Sequence, residues 1–158
     1  NYAIPLAALA RVYARLVDPS PDPIYGTAPR RLADAMISHP EMVSGERRND
    51  LALMQAGRDD WVAKVGAEGV QAIGVRSLGI GIAIKVADGA KRGLHPATVS
   101  VLEQLGLLDG VRRGMLAAWA GATVRNSRGV VTGEVHPVLV LDKHCVRHNV
   151  GITRQNLQ

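Results

Sequence analysis

Apolar residues recur at three- and four-residue steps in several parts of the chain, a spacing typical of amphipathic helices. The first two such stretches each carry a proline at or near the first helical position, and they predict helices over residues 5–17 and 28–38. His39-Pro40 is expected to end the second helix, because a residue before proline avoids the helical conformation. Three later stretches predict helices over residues 49–56, with Asn49 as N-cap, over 95–105, opened by His95-Pro96, and over 111–120.

A different pattern begins near Trp61, where short apolar runs alternate with polar residues and are separated by glycine turns. It predicts three consecutive strands over residues 60–65, 70–75 and 80–86, and a later strand over 130–135. Gly79 and Gly81 leave one face of the third strand thin, so we expect another element to pack closely there. Because strands and helices are segregated along the chain, the pattern predicts an α+β fold with an antiparallel sheet and flanking helices.

Composition and charge narrow the classes of function. The chain has 158 residues, of which 47% are hydrophobic and 21% are charged, as in an ordinary globular domain. Its net charge is +5, but the basic residues are scattered and the aromatic residues are only two Trp and three Tyr, so nucleic-acid binding is not expected. No apolar run is long enough to cross a membrane, and a single cysteine fits a cytoplasmic protein.

Several familiar catalytic motifs are absent from the sequence. There is no glycine-rich phosphate loop, no Gly-x-Ser-x-Gly elbow and no Ser-x-x-Lys pair. His144, Cys145 and His148 lie close together, and the two histidines could share a zinc ion on one helix face. No second pair of ligands follows at a suitable spacing, so we expect no metal site in this chain.

The stretch from Lys64 to Gly69, Lys-Val-Gly-Ala-Glu-Gly, is the most distinctive in the chain. A lysine near the end of a predicted central strand, followed two residues later by Gly66, is similar to the Lys-Thr-Gly strand of serine β-lactamases and penicillin-binding proteins. In those enzymes the ammonium faces the substrate carboxylate, and the glycine admits the substrate beside the strand. A lysine in solvent at a strand end is the plainer interpretation of the same three residues, and the motif alone leaves it open.

Further motifs agree in order with one known family. They are His39-Pro40, Val43-Ser44-Gly45, Arg48-Asn49-Asp50, Leu53-Met54, Lys64 to Gly69, Gly79 to Lys85, Asp88-Gly89 and Leu105-Gly106. With these motifs the chain resembles the L-asparaginase II family of rhizobial type, whose members have a serine β-lactamase-like fold. The resemblance covers residues 1–137, which we expect to form the C-terminal half of such a domain. Residues 138–158 match nothing that we can place and are treated as a tail.

The resemblance implies an amidohydrolase that converts L-asparagine and water into L-aspartate and ammonia. The family's Ser-x-x-Lys nucleophile lies upstream of the segment that this chain resembles. We therefore expect the chain to be a fragment, inactive alone and completed by the missing half or by another chain. A small-molecule amide is the implied substrate, no cofactor is implied in this chain, and any metal would have its ligands upstream. We also expect a homo-oligomer.

The same resemblance supplies the candidate site residues. Lys64 is the candidate catalytic residue, and Gly66, Glu68, Arg48 and Asp50 are the candidate substrate-binding residues. Arg48 and Asp50 are expected to form a structural pair with each other rather than to act in catalysis. Two alternatives stay open: a non-enzymatic binding or regulatory module that has kept the fold, and a hydrolase of the same fold that acts on a different amide.

Overall fold

Helices and strands come in separate blocks in the computed structural model, which describes residues 3–142. Four helices come first: α1 (Leu6–Val17), α2 (Ala28–Ser38), α3 (Pro40–Ser44) and α4 (Asn49–Gly57). Three strands follow: β1 (Trp61–Gly66), β2 (Val70–Val75) and β3 (Ile80–Lys85). The last block comprises α5 (Lys91–Gln104), α6 (Gly110–Met115), a 3₁₀ turn (Ala117–Trp119), β4 (Ala122–Arg125) and β5 (Val131–Val135). The predicted α+β class is confirmed.

The strands form two antiparallel sheets. The first has the order β1-β2-β3, with Ala63 opposite Ile73 and Ile73 opposite Ile82, so the predicted meander is confirmed. Because β2 is the central strand, β1 lies at an edge, and the prediction that Lys64 lies on a central strand is wrong. The second sheet pairs β4 with β5; β4 is a short strand whose four residues are all exposed, and the sequence did not predict it.

The two faces of the three-stranded sheet are covered differently. On one face Trp61, Ile73 and Val75 are buried in the main core together with side chains of α4 and α5. On the other face α1 lies directly against the glycines of β2 and β3. A Cβ atom at Gly81 would lie 1.8 Å from the carbonyl oxygen of Ala10, so only glycine permits this approach. The close packing expected beside β3 is therefore confirmed.

Three helix predictions need correction. Helix α5 begins at Lys91 rather than at His95, and Pro96 lies inside it, so the proline marks an interior position and not the start. Asn49 is the first residue of α4 and not its cap; its buried side chain donates to Gln71 instead. The helix expected over residues 111–120 ends as α6 at Met115, and the 3₁₀ turn follows it.

The described part of the predicted tail packs on α5. The side-chain Nε2 of Gln104 donates to the carbonyl oxygen of Leu139 (3.0 Å), and the backbone N–H of Leu141 donates to Oε1 of Gln104 (2.8 Å). Residues 139–141 are thus attached to the body of the fold. His144, Cys145 and His148 lie outside the described residues. Within residues 3–142, no helix has the length and apolar character needed to cross a membrane.

Candidate functional site

A wholly buried carboxylate lies at the outer edge of β1. Asp50, in the first turn of α4, has no exposed side-chain surface. Its Oδ2 accepts a hydrogen bond from the backbone N–H of Val65 (2.9 Å), and its Oδ1 accepts one from Nε2 of Gln71 (3.1 Å). Because strand β2 runs along the opposite side of β1, the bond to Val65 takes the place of a neighbouring strand at this point.

The hydrogen-bonded network extends from Asp50 through two further side chains. The side-chain Oε1 of Gln71 accepts a hydrogen bond from Nδ2 of Asn49 (2.6 Å), and both residues are buried. Gln71 occupies the same face of β2 as Ile73 and Val75, which belong to the core. Gln71 was not predicted as a site residue; the signal that marks it is a polar side chain at a core-facing position of an apolar strand.

Lys64 lies on the solvent-exposed side of this hydrogen-bonded network. Its Nζ donates to the carbonyl oxygen of Val65 (2.6 Å) and lies 3.7 Å from Oδ2 of Asp50. The lysine side chain is 42% exposed, so the ammonium lies between the buried carboxylate of Asp50 and solvent. The expected pair between Arg48 and Asp50 is wrong, because Asp50 pairs with Lys64. Arg48 is exposed and forms no ion pair within residues 3–142.

Gly66 is the last residue of β1, and Glu68 lies in the turn that joins β1 to β2. A Cβ atom at Gly66 would lie 3.2 Å from Cβ of Val70, so a side chain there would press on the start of β2. Glu68 has a left-handed backbone (φ 58°), and its carbonyl oxygen accepts a hydrogen bond from Nζ of Lys85 (2.6 Å). These contacts tie the turn to the end of β3, while Lys64 and Asp50 lie together at the opposite, outer edge of β1.

The charge of Asp50 is felt by side chains on two other helices. Burial, and second the charge of Asp50, raise the pKa of Tyr13 on α1 above its ordinary value. Burial, followed by the charge of Lys91, lowers the pKa of His95 on α5, and Asp50 partly opposes that shift. His95 also contacts Trp119 edge to face, with ring centroids 4.8 Å apart. The charge of Asp50 is thus a secondary contribution to the pKa shifts of both side chains.

The described residues offer no metal site beside Lys64 and Asp50, and the apolar cavity of the fold lies elsewhere. Within residues 3–142, no three side chains of His, Cys, Asp or Glu are grouped so that they could hold a metal ion. An apolar cavity of about 470 Å³ lies between α1 and α2, lined by residues that include Val12, Leu16, Tyr25 and Leu32. Lys64 and Asp50 do not line it. The chemistry available at the outer edge of β1 is that of a partly exposed ammonium fixed by a buried carboxylate.

The lysine of a Lys-x-Gly strand is thus held at the edge of an antiparallel sheet in an α+β fold. A sequence model of the L-asparaginase II family matches residues 1–137, and the chain belongs to this family. Membership indicates an asparaginase-like amidohydrolase. Comparison with curated proteins gave no match.

Proposed function

We propose that the chain is the C-terminal half of an L-asparaginase of rhizobial type with a serine β-lactamase-like fold, and that Lys64 acts at its active site. The observation that carries this proposal is the placement of Lys64 on the outer edge of β1, in contact with Asp50 and 42% exposed. A wholly buried carboxylate is costly unless it is paired and hydrogen-bonded, so Asp50 keeps the Lys64 ammonium in one position while part of the lysine side chain stays accessible to a substrate.

The proposed reaction is attack on the side-chain amide of L-asparagine. A serine Oγ from a Ser-x-x-Lys motif, supplied by the missing half, adds to the amide carbon while the partner lysine takes its proton. The lysine passes this proton to the amide nitrogen, the C–N bond breaks and ammonia leaves. Water then hydrolyses the ester to release L-aspartate and restore the serine. The Lys64 ammonium supplies fixed positive charge, either to the developing oxyanion or to the α-carboxylate of the substrate.

The remaining candidate residues have supporting roles in this proposal. Asp50 holds Lys64 in place rather than touching the substrate, since its side chain is wholly buried. Arg48 is exposed and within one turn of Asp50 along the chain, so it is available to a substrate carboxylate. Gly66 and Glu68 shape the turn after β1. The chain itself supplies no cofactor ligands in this mechanism, and any metal would be held by the missing half.

The free edge of β3 supports the proposed completion by another segment. Within residues 3–142, β3 pairs only with β2, and its other edge is paired with no strand. Sheets in small domains commonly have more than three strands, and an unpaired edge strand is a site for strand addition. A strand from the missing half, or from another chain, would extend the sheet there and leave the Lys64 edge open to substrate.

Ammonia release by the complete protein that carries this chain tests the proposal. Lys64→Ala should lower kcat/KM for L-asparagine by about 10²–10³-fold. Because this change also leaves the buried carboxylate of Asp50 without its ion-pair partner, circular dichroism must show that the variant is folded before the rates are compared. Lys85→Ala is the matched control: Lys85 also donates to backbone carbonyl oxygens, those of Glu68 and Val86 (both 2.6 Å), but has no carboxylate partner within residues 3–142. Equal activity of the Lys64 variant and the parent would contradict the assignment, and so would loss of activity in the Lys85 variant alone.

The alternative is a non-enzymatic binding or regulatory module that has kept the fold; the absence of a Ser-x-x-Lys pair from the sequence favours it if this chain is the full gene product. Under this alternative the protein binds an amino acid through Lys64 without hydrolysing it. Calorimetric titration with L-aspartate and L-asparagine, together with the ammonia assay, separates the two. If the parent binds one of these amino acids without releasing ammonia, and Lys64→Ala abolishes the heat of binding, the protein is a binding module and not a hydrolase.

A further inference from the structure

Gln71 is a polar residue at an apolar position. It lies on the core face of β2, on the same side as Ile73 and Val75, and its side chain is wholly buried. A methionine or leucine would fill this position without a polar group to satisfy, and a buried polar group costs free energy unless it is hydrogen-bonded. Packing therefore does not explain the amide, and its hydrogen bonds are the property to explain.

The amide of Gln71 is held at both of its polar atoms by two consecutive residues of α4. Nδ2 of Asn49 donates to Oε1 of Gln71 (2.6 Å), and Nε2 of Gln71 donates to Oδ1 of Asp50 (3.1 Å). The Nε2 atom also lies 3.4 Å from the carbonyl oxygen of Ala72. Turning the amide over would place its oxygen against the carboxylate and its NH₂ group against that of Asn49. Asn49 therefore fixes the direction in which Gln71 donates.

This donation reaches the edge of β1 that carries Lys64. Gln71 lies directly opposite Val65 in the pairing of the two strands, and the N–H of Val65 donates to Oδ2 of Asp50 (2.9 Å). The Gln71 side chain thus crosses β1 on its core face to meet the carboxylate at the outer edge of that strand. One oxygen of Asp50 is bound from β1 and the other from β2.

The two oxygens of Asp50 have different partners, and this fixes the plane of the carboxylate. Oδ2 lies 3.7 Å from Nζ of Lys64, on the side of the Val65 N–H. Within residues 3–142, the donor to Oδ1 is Gln71. A carboxylate bound at one oxygen can still turn about its Cβ–Cγ bond, because that torsion has a broad energy minimum. The bond from Gln71 removes this freedom and keeps Oδ2 towards the ammonium.

We propose that Gln71 is a positioning residue of the active site: held by Asn49, it fixes the Asp50 carboxylate, which in turn fixes the Lys64 ammonium. This inference rests on the proposed function, in which Lys64 supplies positive charge to the substrate. Gln71 is wholly buried and does not touch the substrate. Its effect on the reaction passes through Lys64, so the effect should disappear when Lys64 is absent.

Kinetics of a double variant, in the complete protein that carries this chain, test this dependence. Gln71→Met keeps a long side chain but removes the donor to Asp50, and kcat/KM for L-asparagine should fall about tenfold. The parameter that changes, kcat or KM, should be the one that Lys64→Ala changes. In the Lys64→Ala background, Gln71→Met should lower kcat/KM by less than about twofold, because the ammonium is already absent.

Two further variants separate positioning from a general effect on folding. Thr98→Val removes another buried hydrogen bond, from Oγ1 of Thr98 to the carbonyl oxygen of Leu94 (2.8 Å) on α5. It is the control and should leave kcat/KM within about twofold of the parent. Asn49→Ala frees the Gln71 amide and should repeat the effect of Gln71→Met more weakly. Circular dichroism shows which variants are folded, and Asn49→Ala carries the test if Gln71→Met does not fold.

Acetylation of the lysine side chains tests the positioning independently of activity. Nζ of Lys64 reacts with acetic anhydride only when it leaves its acceptors on β1 and α4. Gln71→Met should therefore raise the rate at Lys64 several-fold relative to the rate at Lys85, which has no carboxylate partner within residues 3–142. Mass spectrometry of the two acetylated peptides measures this ratio. Thr98→Val should leave the ratio as in the parent.

The outcomes separate this inference from the proposed function. An unchanged acetylation ratio in folded Gln71→Met overturns the inference, even in a protein that releases ammonia. Equal effects of Gln71→Met on kcat/KM in the two backgrounds also overturn it, because the loss of activity would then not pass through Lys64. If the ratio rises but the parent releases no ammonia, Gln71 positions Lys64 and the proposed function is wrong.

Discussion

The Nζ of Lys64 and the Oδ2 of Asp50 lie 3.7 Å apart, with the ammonium partly exposed and the carboxylate wholly buried. Asp50 also binds the backbone of the strand that carries the lysine, through the N–H of Val65. One carboxylate therefore fixes both the strand and the ammonium.

Removal of the buried carboxylate should destabilise the protein strongly. Asp50→Ala leaves the N–H of Val65 without its acceptor, and leaves the Nε2 of Gln71 with only the carbonyl oxygen of Ala72, at 3.4 Å. Losing hydrogen bonds to a charged group in such a site costs about 2–3 kcal/mol of unfolding free energy. Urea denaturation measures it. Asp34→Ala is the control, because Asp34 is half exposed and pairs at the surface with Arg76, and its loss should cost less than about 1 kcal/mol.

The contact between α1 and β3 should be intolerant of a single added methyl group. At Gly81 that methyl group would meet backbone atoms of Ala10 and Ala14, which cannot move aside as a flexible side chain can. We expect Gly81→Ala to destabilise the fold by about 3 kcal/mol or more, measured by thermal or urea unfolding. Gly133→Ala, in β5, has no atom within 4 Å of the new methyl group and should be nearly neutral. Equal effects would contradict the close approach.

Stability should depend on pH through His95. Burial, and then the charge of Lys91, lower the pKa of this side chain in the folded state below the 6.5 of an unperturbed histidine. Below pH 6.5 the unfolded chain therefore binds more protons than the folded one, and stability should fall as pH decreases through that window. His95→Gln should remove this part of the pH dependence, whereas His39→Gln, at an exposed site, should not. Urea titrations across pH 5–8 compare the slopes.

The attachment of residues 139–141 to α5 should depend on one amide side chain. Gln104→Ala removes both hydrogen bonds to this segment, which we expect to cost about 1 kcal/mol. The amide of Leu141 should then exchange with solvent faster. Gln104→Glu keeps an acceptor for the N–H of Leu141 but cannot donate to Leu139, so its exchange rate should fall between those of the parent and the alanine variant. An unchanged rate in Gln104→Ala would show that other contacts hold the segment.

The sequence predicted those parts of the fold whose signal is local. The alternating run from Trp61 to Val86 specifies its own strands and turns, and the meander was predicted almost to the residue. The predicted start of α5 was wrong because a His-Pro pair does not reveal whether the proline stands at the start of a helix or inside it. In α5 Pro96 is inside, where packing overrides the free-energy cost that a proline imposes on a helix interior. Strand β4 has no buried face, so no alternation of apolar and polar residues marks it.

The site was predicted less completely, since its contacts join residues that are distant in sequence. Lys64 and Asp50 were both selected, but as members of different groups, because nothing in the sequence shows that α4 lies along the outer edge of β1. Gln71 was missed altogether. Its polar side chain on the core-facing side of β2 is a signal that a stricter test of alternation would detect. The roles of Arg48, Gly66 and Glu68 in binding stay predictions.

The hydrogen bond from Val65 to Asp50 also bears on aggregation. An exposed strand edge recruits strands from other molecules, and proteins with two open edges can stack without limit into fibres. At Val65 the edge of β1 presents a buried carboxylate in place of a free N–H, so an incoming strand would have to displace a charged group from its partners. Growth of this sheet is thereby disfavoured on one side, and association through its other edge would stop after one addition instead of propagating.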